Sequence, residues 1–333
     1  MNLGIIGLGY WGPNIVRNAL TNKDINKVFC CDTDKDQLAK IKTSYSQVET
    51  VDNVETIFQN EEIDAVAIVT PVNTHYALAK AALEHGKHIL VEKPFVASVE
   101  EAEEIIALAK EKNLITMVDH TFVYTPAIKK IKEVHDKGEL GDIHYYDSVR
   151  VSLGLFQRDV NVIWDLGAHD FSIMNYIIGK PPKFLKAMGA DHVGKGLEDV
   201  AYVHIEFENQ LIAHFHLNWL SPVKIRKILI AGSKQMIVYD DIESSEKIKI
   251  YDKGIDVNSK EDEHKTLIQY RSGNMYSPAL ENTEALRSMI EEFVASVQEK
   301  REPLTSGQNG LEVVKLLQAT QQSIKNNGEI VHL

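Results

Sequence analysis

An apolar run at the amino end, Asn2–Ile6, is delivered straight into Gly7-Leu8-Gly9-Tyr10-Trp11-Gly12, and this strand followed by G-x-G-x-x-G constrains the fold more than any other feature of the chain. Gly7 permits a tight turn, Gly9 lets a pyrophosphate approach the backbone, and Gly12 lets the ensuing helix pack closely, its amino end facing the phosphates. Pro13 is tolerated there because first-turn amides have no helical partner. A second apolar run, Lys27–Cys31, ends at Asp32, about twenty residues on, where an acid can accept hydrogen bonds from adenosine ribose hydroxyls. Asp34 with Gln37 forms a capping box, so Asp32 is not needed as a helix cap. No Arg follows to welcome a 2′-phosphate, so NAD is preferred to NADP, with Lys35 the one nearby cation. Tyr10 and Trp11 belong to the same candidate cofactor turn.

Strands and helices keep alternating. Asp52 and Glu55 box a helix that ends near Gln59, residues 64–70 read as a buried strand, and 74–85 as a helix. His88-Ile89-Leu90-Val91 is a further strand, stopped abruptly by Glu92-Lys93-Pro94. Lys93 is thereby held at a strand's carboxyl end, the edge where open α/β sheets bind ligands, although a surface loop containing Lys and Pro is the plainer alternative. Thr70-Pro71-Val72-Asn73-Thr74-His75 closes another strand at that edge. Its hydroxyls and His75 can contact a nicotinamide ribose or line a substrate cleft, and Thr74 can equally be an N-cap. Ser98 with Glu101 opens a helix to about Asn113, and 114–118 is the last strand. The rhythm predicts a doubly wound parallel sheet of Rossmann type over residues 1–120.

A chain of 333 residues fits about two domains. From residue 121 onward the pattern becomes an amphipathic helix at 125–137, a run of half-exposed strands from 142 to 251, a polar excursion at 252–271 and two closing helices at 282–300 and 310–326. This predicts an α+β domain, 121–333, on a largely antiparallel open sheet, with homo-oligomerisation (dimer or tetramer) through that sheet. The formal charge of −12 argues against a general nucleic-acid surface while allowing a small anionic ligand. The only cysteines, Cys30 and Cys31, are adjacent in a strand and read as buried thiols of a reducing cytoplasm. No secretory leader and no run of membrane-spanning length is expected, and no metal site.

Within the second domain, Asn161-Val-Ile-Trp-Asp165-Leu-Gly-Ala-His169-Asp170 continues helically to Gly179. Asp165, His169, Ser172 and Tyr176 fall at i, i+4, i+7 and i+11, so Asp165 and His169 share a face, one turn apart, which faces either water or a cleft crowded by Trp164 and Gly167.

Taken in order, the glycine turn, the Glu92-Lys93-Pro94 after a later strand and the Asp165-x-x-x-His169 helix resemble the glucose-fructose oxidoreductase / inositol dehydrogenase / MocA family, over essentially the whole chain. The resemblance implies NAD(P) binding in the first domain, substrate binding and assembly in the second, and hydride transfer at a sugar or cyclitol carbinol. Carried over by position, Lys93 is the lysine of the EKP motif, Asp165 the carboxylate and His169 the histidine base, with the Lys93-Pro94 peptide cis as in relatives. Relatives carry glycine-rich forms of the segment where Asn161-Val-Ile-Trp164 stands here. Gly9-Tyr-Trp-Gly-Pro-Asn14 and Val162 to Asp170 are most similar to members acting at C3 of UDP-N-acetylglucosaminuronate in cell-surface polysaccharide biosynthesis.

Oxidising a secondary alcohol needs a base near neutral pKa, which histidine supplies, and a cation such as Lys93 for charge developing on oxygen. Asp165 and Tyr124 are the reserve bases, and Arg150, Arg158 and Arg226 with Lys227, together with Tyr124 and Trp164, are candidate contacts for an anionic sugar nucleotide. Each arginine can equally be a surface charge. The alternatives are a cyclitol or free-sugar dehydrogenase, a reductase of keto-deoxysugar nucleotides, and, in another class, an NAD-binding sensor without turnover.

Overall fold

The computed structural model describes residues 1–154, 156, 160–257 and 268–333. In the first part of the chain, short apolar runs with β-branched residues form strands that alternate with capped helices: β1 (Asn2–Ile6), α1 (Gly12–Thr21), β2 (Lys27–Cys31), α2 (Lys35–Ser44), β3 (Glu49–Val51), α3 (Val54–Gln59), β4 (Ala65–Ile68), α4 (Val72–Glu84), β5 (His88–Glu92), α5 (Val99–Lys112) and β6 (Thr116–Asp119). The strands make one parallel sheet in the order β3-β2-β1-β4-β5-β6. Ile6 pairs with both Cys31 and Ile68, and Val91 with both Ile68 and Val118, so all the following loops leave along one edge. Such sheets are covered on both faces, and Ile5, Val66, Val91 and Val118 are fully buried. Cys30 and Cys31 are free and buried here, and burial pushes the Cys30 thiol up to about 12.

Two helix starts differ from expectation. Asn53, not Asp52, caps α3 by accepting from the Glu55 amide at 3.0 Å, while Asp52 faces Lys35 at 3.5 Å. α4 begins at Val72 behind Pro71, so Thr74 lies inside its first turn and is not its cap. Proline needs no amide partner, which lets the helix start earlier than the hydroxyl implied. The capping box of α5 is present, with Ser98 accepting from the Glu101 amide at 3.2 Å.

The remaining elements are α6 (Pro126–Asp136), β7 (Ile143–Leu153), a π-turn (Ile163–Gly167) leading into α7 (Ala168–Ile178), β8 (Phe184–Ala190), β9 (Val200–Glu206), β10 (Ile212–Asn218), β11 (Leu220–Gly232), β12 (Met236–Asp240), β13 (Ile248–Val257), β14 (Ile268–Tyr276), α8 (Ala285–Glu299), α9 (Gly307–Lys325) and β15 (Val331–His332). Among the described residues, nine strands form a sheet in the order β14-β13-β12-β11-β7-β10-β9-β8-β15, antiparallel except where β10 runs parallel to β7. α7 covers one face, with Phe171 edge-on to Phe215 of β10 at 4.9 Å. The expected excursion over 252–271 is in part strand: β13 runs on to Val257 and pairs with β14. Polar alternation on a sheet's outer strands reads like loop in sequence.

The chain divides into Met1–Thr125 with Thr283–Gln318, and Pro126–Asn282 with Ala319–Leu333. Residues 283–318 of the C-terminal segment therefore group with the first unit. Long-range hydrogen bonding explains the return: the Val118 amide donates to Thr305 O at 2.8 Å, and Arg17 of α1 pairs with Glu284. Among the described residues no helix is long and apolar enough to cross a membrane.

Candidate active site

The three glycines of the first turn are there for different reasons. Gly7 has φ +96°, and a Cβ on it would lie 2.4 Å from Val69 O; a Cβ on Gly12 would lie 2.3 Å from Gly7 O. The fold itself forbids side chains at both. A Cβ on Gly9 would meet nothing within 4 Å, so internal packing does not require glycine there and the backbone is open to close approach. Among the described residues no side chain caps α1; the Asn14 and Ile15 amides turn back onto Trp11 O at 2.9 and 3.2 Å and Pro13 has no amide, which leaves the Gly12 amide of the first turn for another acceptor. Asp32 locks the turn: Oδ2 accepts from the Leu8 amide at 2.6 Å and Oδ1 from the Asp34 amide at 2.8 Å. Each carboxylate oxygen keeps a lone pair for a ribose hydroxyl. Tyr10 and Trp11 stand exposed beside the turn, edge-on at 5.3 Å. This set fits a dinucleotide, with the Gly9 backbone and the Gly12 amide for the pyrophosphate and Asp32 for the ribose.

At the same sheet edge, Thr70 and Lys93 follow the neighbouring strands β4 and β5. Thr70 and Thr74 share a hydroxyl contact of 2.7 Å, and Thr74 Oγ1 donates to Pro71 O at 2.7 Å, while Pro71 and Asn73 are exposed. Lys93 and Glu92 are half-buried, and the Lys93-Pro94 peptide is cis, as the resemblance implied. His75 departs from expectation. It is fully buried, with both ring nitrogens on backbone carbonyls, so it touches loops and not ligand.

Behind Lys93 lie two residues that sequence reading passed over. Asp119 pairs with Glu92 across the β5–β6 ladder and accepts from Thr121; burial pushes its carboxyl up, against the pull of Thr121 and of the Lys93 charge. Next to it, His120 is 1% exposed with neither ring nitrogen hydrogen-bonded, and burial, helped by Lys93, pushes its pKa down to about 3. Both stand at a strand's carboxyl end, the same signal that singled out Lys93. Tyr124 is corrected outright: it is 1% exposed with its hydroxyl 3.0 Å from Thr305 Oγ1, a core residue that burial holds in its protonated form and no reserve base.

In the second unit, Asn161 starts the helical segment by accepting from the Ile163 and Trp164 amides, each at 3.1 Å. Trp164, Asp165 and His169 are half-buried on this segment. The expected polar stripe stops there, because Ser172 is buried and its hydroxyl donates to His169 O at 2.8 Å. Asp165 Oδ2 accepts from Trp219 Nε1 at 3.3 Å, a partner that no local pattern marks. Arg150 is no surface ligand. Its guanidinium forks onto Asp170 at 2.7 and 3.2 Å, with Ser148 donating to the same carboxylate at 2.9 Å. Arg226 is turned to Asp241 at 3.3 Å, and Arg158 lies outside the described residues.

Residues 1–120 match the oxidoreductase family with an NAD-binding Rossmann fold, GFO/IDH/MocA, and residues 128–238 match the GFO/IDH/MocA C-terminal domain. The chain is 26% identical over 255 residues to a UDP-N-acetylglucosamine 3-dehydrogenase from Acidithiobacillus ferrooxidans, covering 76% of this chain and 78% of that one. It is 23% identical over 349 residues to an inositol 2-dehydrogenase from Rhizobium meliloti, covering 99% and 98%. Among solved structures, GenD2 from gentamicin A biosynthesis, in complex with NAD, superposes with a TM-score of 0.84 at 19% identity, over 100% of this chain and 96% of that one. Two consecutive domain matches, in the order and with the sheets described above, place the chain in the GFO/IDH/MocA family of oxidoreductases.

Proposed function

We propose that the protein oxidises a secondary hydroxyl in an NAD-dependent reaction, with C3 of a nucleotide-linked sugar such as UDP-N-acetylglucosaminuronate as the substrate position and Lys93, Asp165 and His169 as the catalytic set. The observation that carries the reaction is Lys93, half-buried at the carboxyl end of β5 in a sheet whose glycine turn and Asp32 suit a dinucleotide. Bound nicotinamide supplies a hydride acceptor. His169 takes the hydroxyl proton, Asp165 orients that hydroxyl or favours the imidazolium, and the Lys93 ammonium stabilises negative charge on the oxygen. Trp219 Nε1 donates to Asp165 Oδ2 and so helps to fix the direction of that carboxylate. The sugar-nucleotide reading is supported by likeness to the UDP-N-acetylglucosamine 3-dehydrogenase. A cyclitol substrate is the second reading, supported by an inositol 2-dehydrogenase that aligns with 99% of the chain.

The test is absorbance at the NADH band with purified protein, NAD⁺ or NADP⁺, and a panel of UDP-N-acetylglucosamine, UDP-N-acetylglucosaminuronate, dTDP-sugars, myo-inositol and scyllo-inositol. Reduction with UDP-sugars supports the proposal, and reduction with inositols alone overturns the substrate. Better turnover with NADP⁺ would reverse the cofactor preference read from Asp32. Assembly through the nine-stranded sheet is part of the same proposal, and a monomer by sedimentation at micromolar concentration would remove it.

A further inference from the structure

The imidazole of His75 sits wholly inside the first unit, in the opening turn of α4, and both of its ends meet backbone. Nε2 lies 2.8 Å from Thr70 O, while Nδ1 lies 2.9 Å from Pro94 O and 3.2 Å from Phe95 O. Thr70 belongs to the connection leaving β4. Pro94 and Phe95 directly follow Lys93 in the connection leaving β5. The β4–β5 ladder ends at Ile68 and Val91, and beyond it the imidazole spans the two connections. Burial holds the ring's pKa below its ordinary value, against the pull of the three carbonyl oxygens. Held neutral, the ring carries a single N–H and donates at one end only, so exchanging it for an apolar ring leaves the carbonyl at that end unpaired.

We propose that His75 is a positioning residue for the nicotinamide end of the dinucleotide site: wedged between the Thr70 connection and the Lys93-Pro94-Phe95 segment, hydrogen-bonded to one and packed against the other, it sets the spacing of the two. The glycine turn and Asp32 serve the other end, the pyrophosphate and adenosine ribose, and His75 touches neither. Its effect is therefore selective along the length of the cofactor. This inference rests on the reading of these loops as a dinucleotide site.

ADP-ribose carries the adenosine and pyrophosphate of NAD⁺ and lacks the nicotinamide, so the two ligands separate the ends. Calorimetric titration of the intact protein with each, for wild type, His75→Phe, His75→Gln and the core control Ile105→Val, tests the proposal. His75→Phe is expected to weaken NAD⁺ by on the order of tenfold, the scale of one lost buried hydrogen bond, and ADP-ribose by less than about twofold. His75→Gln, which keeps an amide donor, falls between, and Ile105→Val leaves the ratio of the two affinities unchanged. Equal weakening of both ligands, or an unchanged ratio in both His75 variants, overturns the positioning role while the dinucleotide reading stands. Failure of the wild type to bind either ligand removes that reading and this one with it. If the phenylalanine variant does not fold, the glutamine variant is read by the same ratio.

Discussion

The Arg150 guanidinium and the Asp170 carboxylate form a two-pronged ion pair, 2.7 Å at its shorter contact, with side chains 7% and 1% exposed. Breaking such a pair from one side strands a buried charge, which costs about 3–5 kcal/mol, whereas replacing both partners by apolar groups is often close to neutral. Arg150→Met is expected to lower stability by that amount in denaturant titration, and Arg150→Met/Asp170→Leu to recover most of it. Loss of substrate affinity in Arg150→Met without loss of stability would return Arg150 to the ligand set.

The glycine turn separates folding from binding. Gly12→Ala forces a methyl against Gly7 O and is expected to cost about 1–3 kcal/mol. Gly9→Ala has room within the protein, so its melting temperature stays near wild type while NAD⁺ affinity falls about tenfold or more. Unchanged NAD⁺ affinity in Gly9→Ala would move the pyrophosphate elsewhere.

Lys93→Ala and His169→Ala are each expected to lower turnover by roughly a hundredfold or more with NAD⁺ still bound, the scale of losing a charge-stabilising or acid–base group. Trp219→Phe removes one 3.3 Å hydrogen bond to Asp165, and a severalfold loss is expected. Single-turnover rates on the substrate found by the absorbance panel check all three. Full activity in His169→Ala would transfer the base role to Asp165.

Acid sensitivity has a defined sign. His120 is depressed to about 3 from an unfolded value near 6.5, so the unfolded chain binds the extra proton first. Its contribution is complete above about pH 6.5 and is lost as pH falls toward 3, on the order of 2 kcal/mol by pH 5. His75, also depressed by burial, acts in the same direction. Asp119, whose carboxyl is raised, works in the opposite direction at the acid end. Stability measured from pH 7 to 5 should fall less steeply in His120→Phe than in wild type, and equal slopes would count against a neutral buried imidazole.

How much was legible depended on sequence distance. The glycine turn, Asp32, Ser98 with Glu101 and the alternating runs are local signals, set by backbone geometry within a few residues, and they are found where expected. Asp119 and His120 obey the strand-end rule but lie one and two residues beyond the strand expected over 114–118. Tyr124 and Arg150 were misread because their partners are 181 and 20 residues away, and Trp219 reaches Asp165 across 54. No periodicity encodes such pairings.

The sequence by itself determined that strands and helices alternate, that one edge gathers the glycine turn, Thr70 and Lys93, and that a second sheet follows, because these depend on local propensity and on the period of apolar residues. The tertiary structure alone decided which polar groups are used up in holding the fold: His75 on three carbonyls, Arg150 on Asp170, Tyr124 on Thr305. Burial makes an unpaired polar group costly, so Arg150 and Tyr124 acquire partners from wherever the chain happens to pass, and no local pattern announces them.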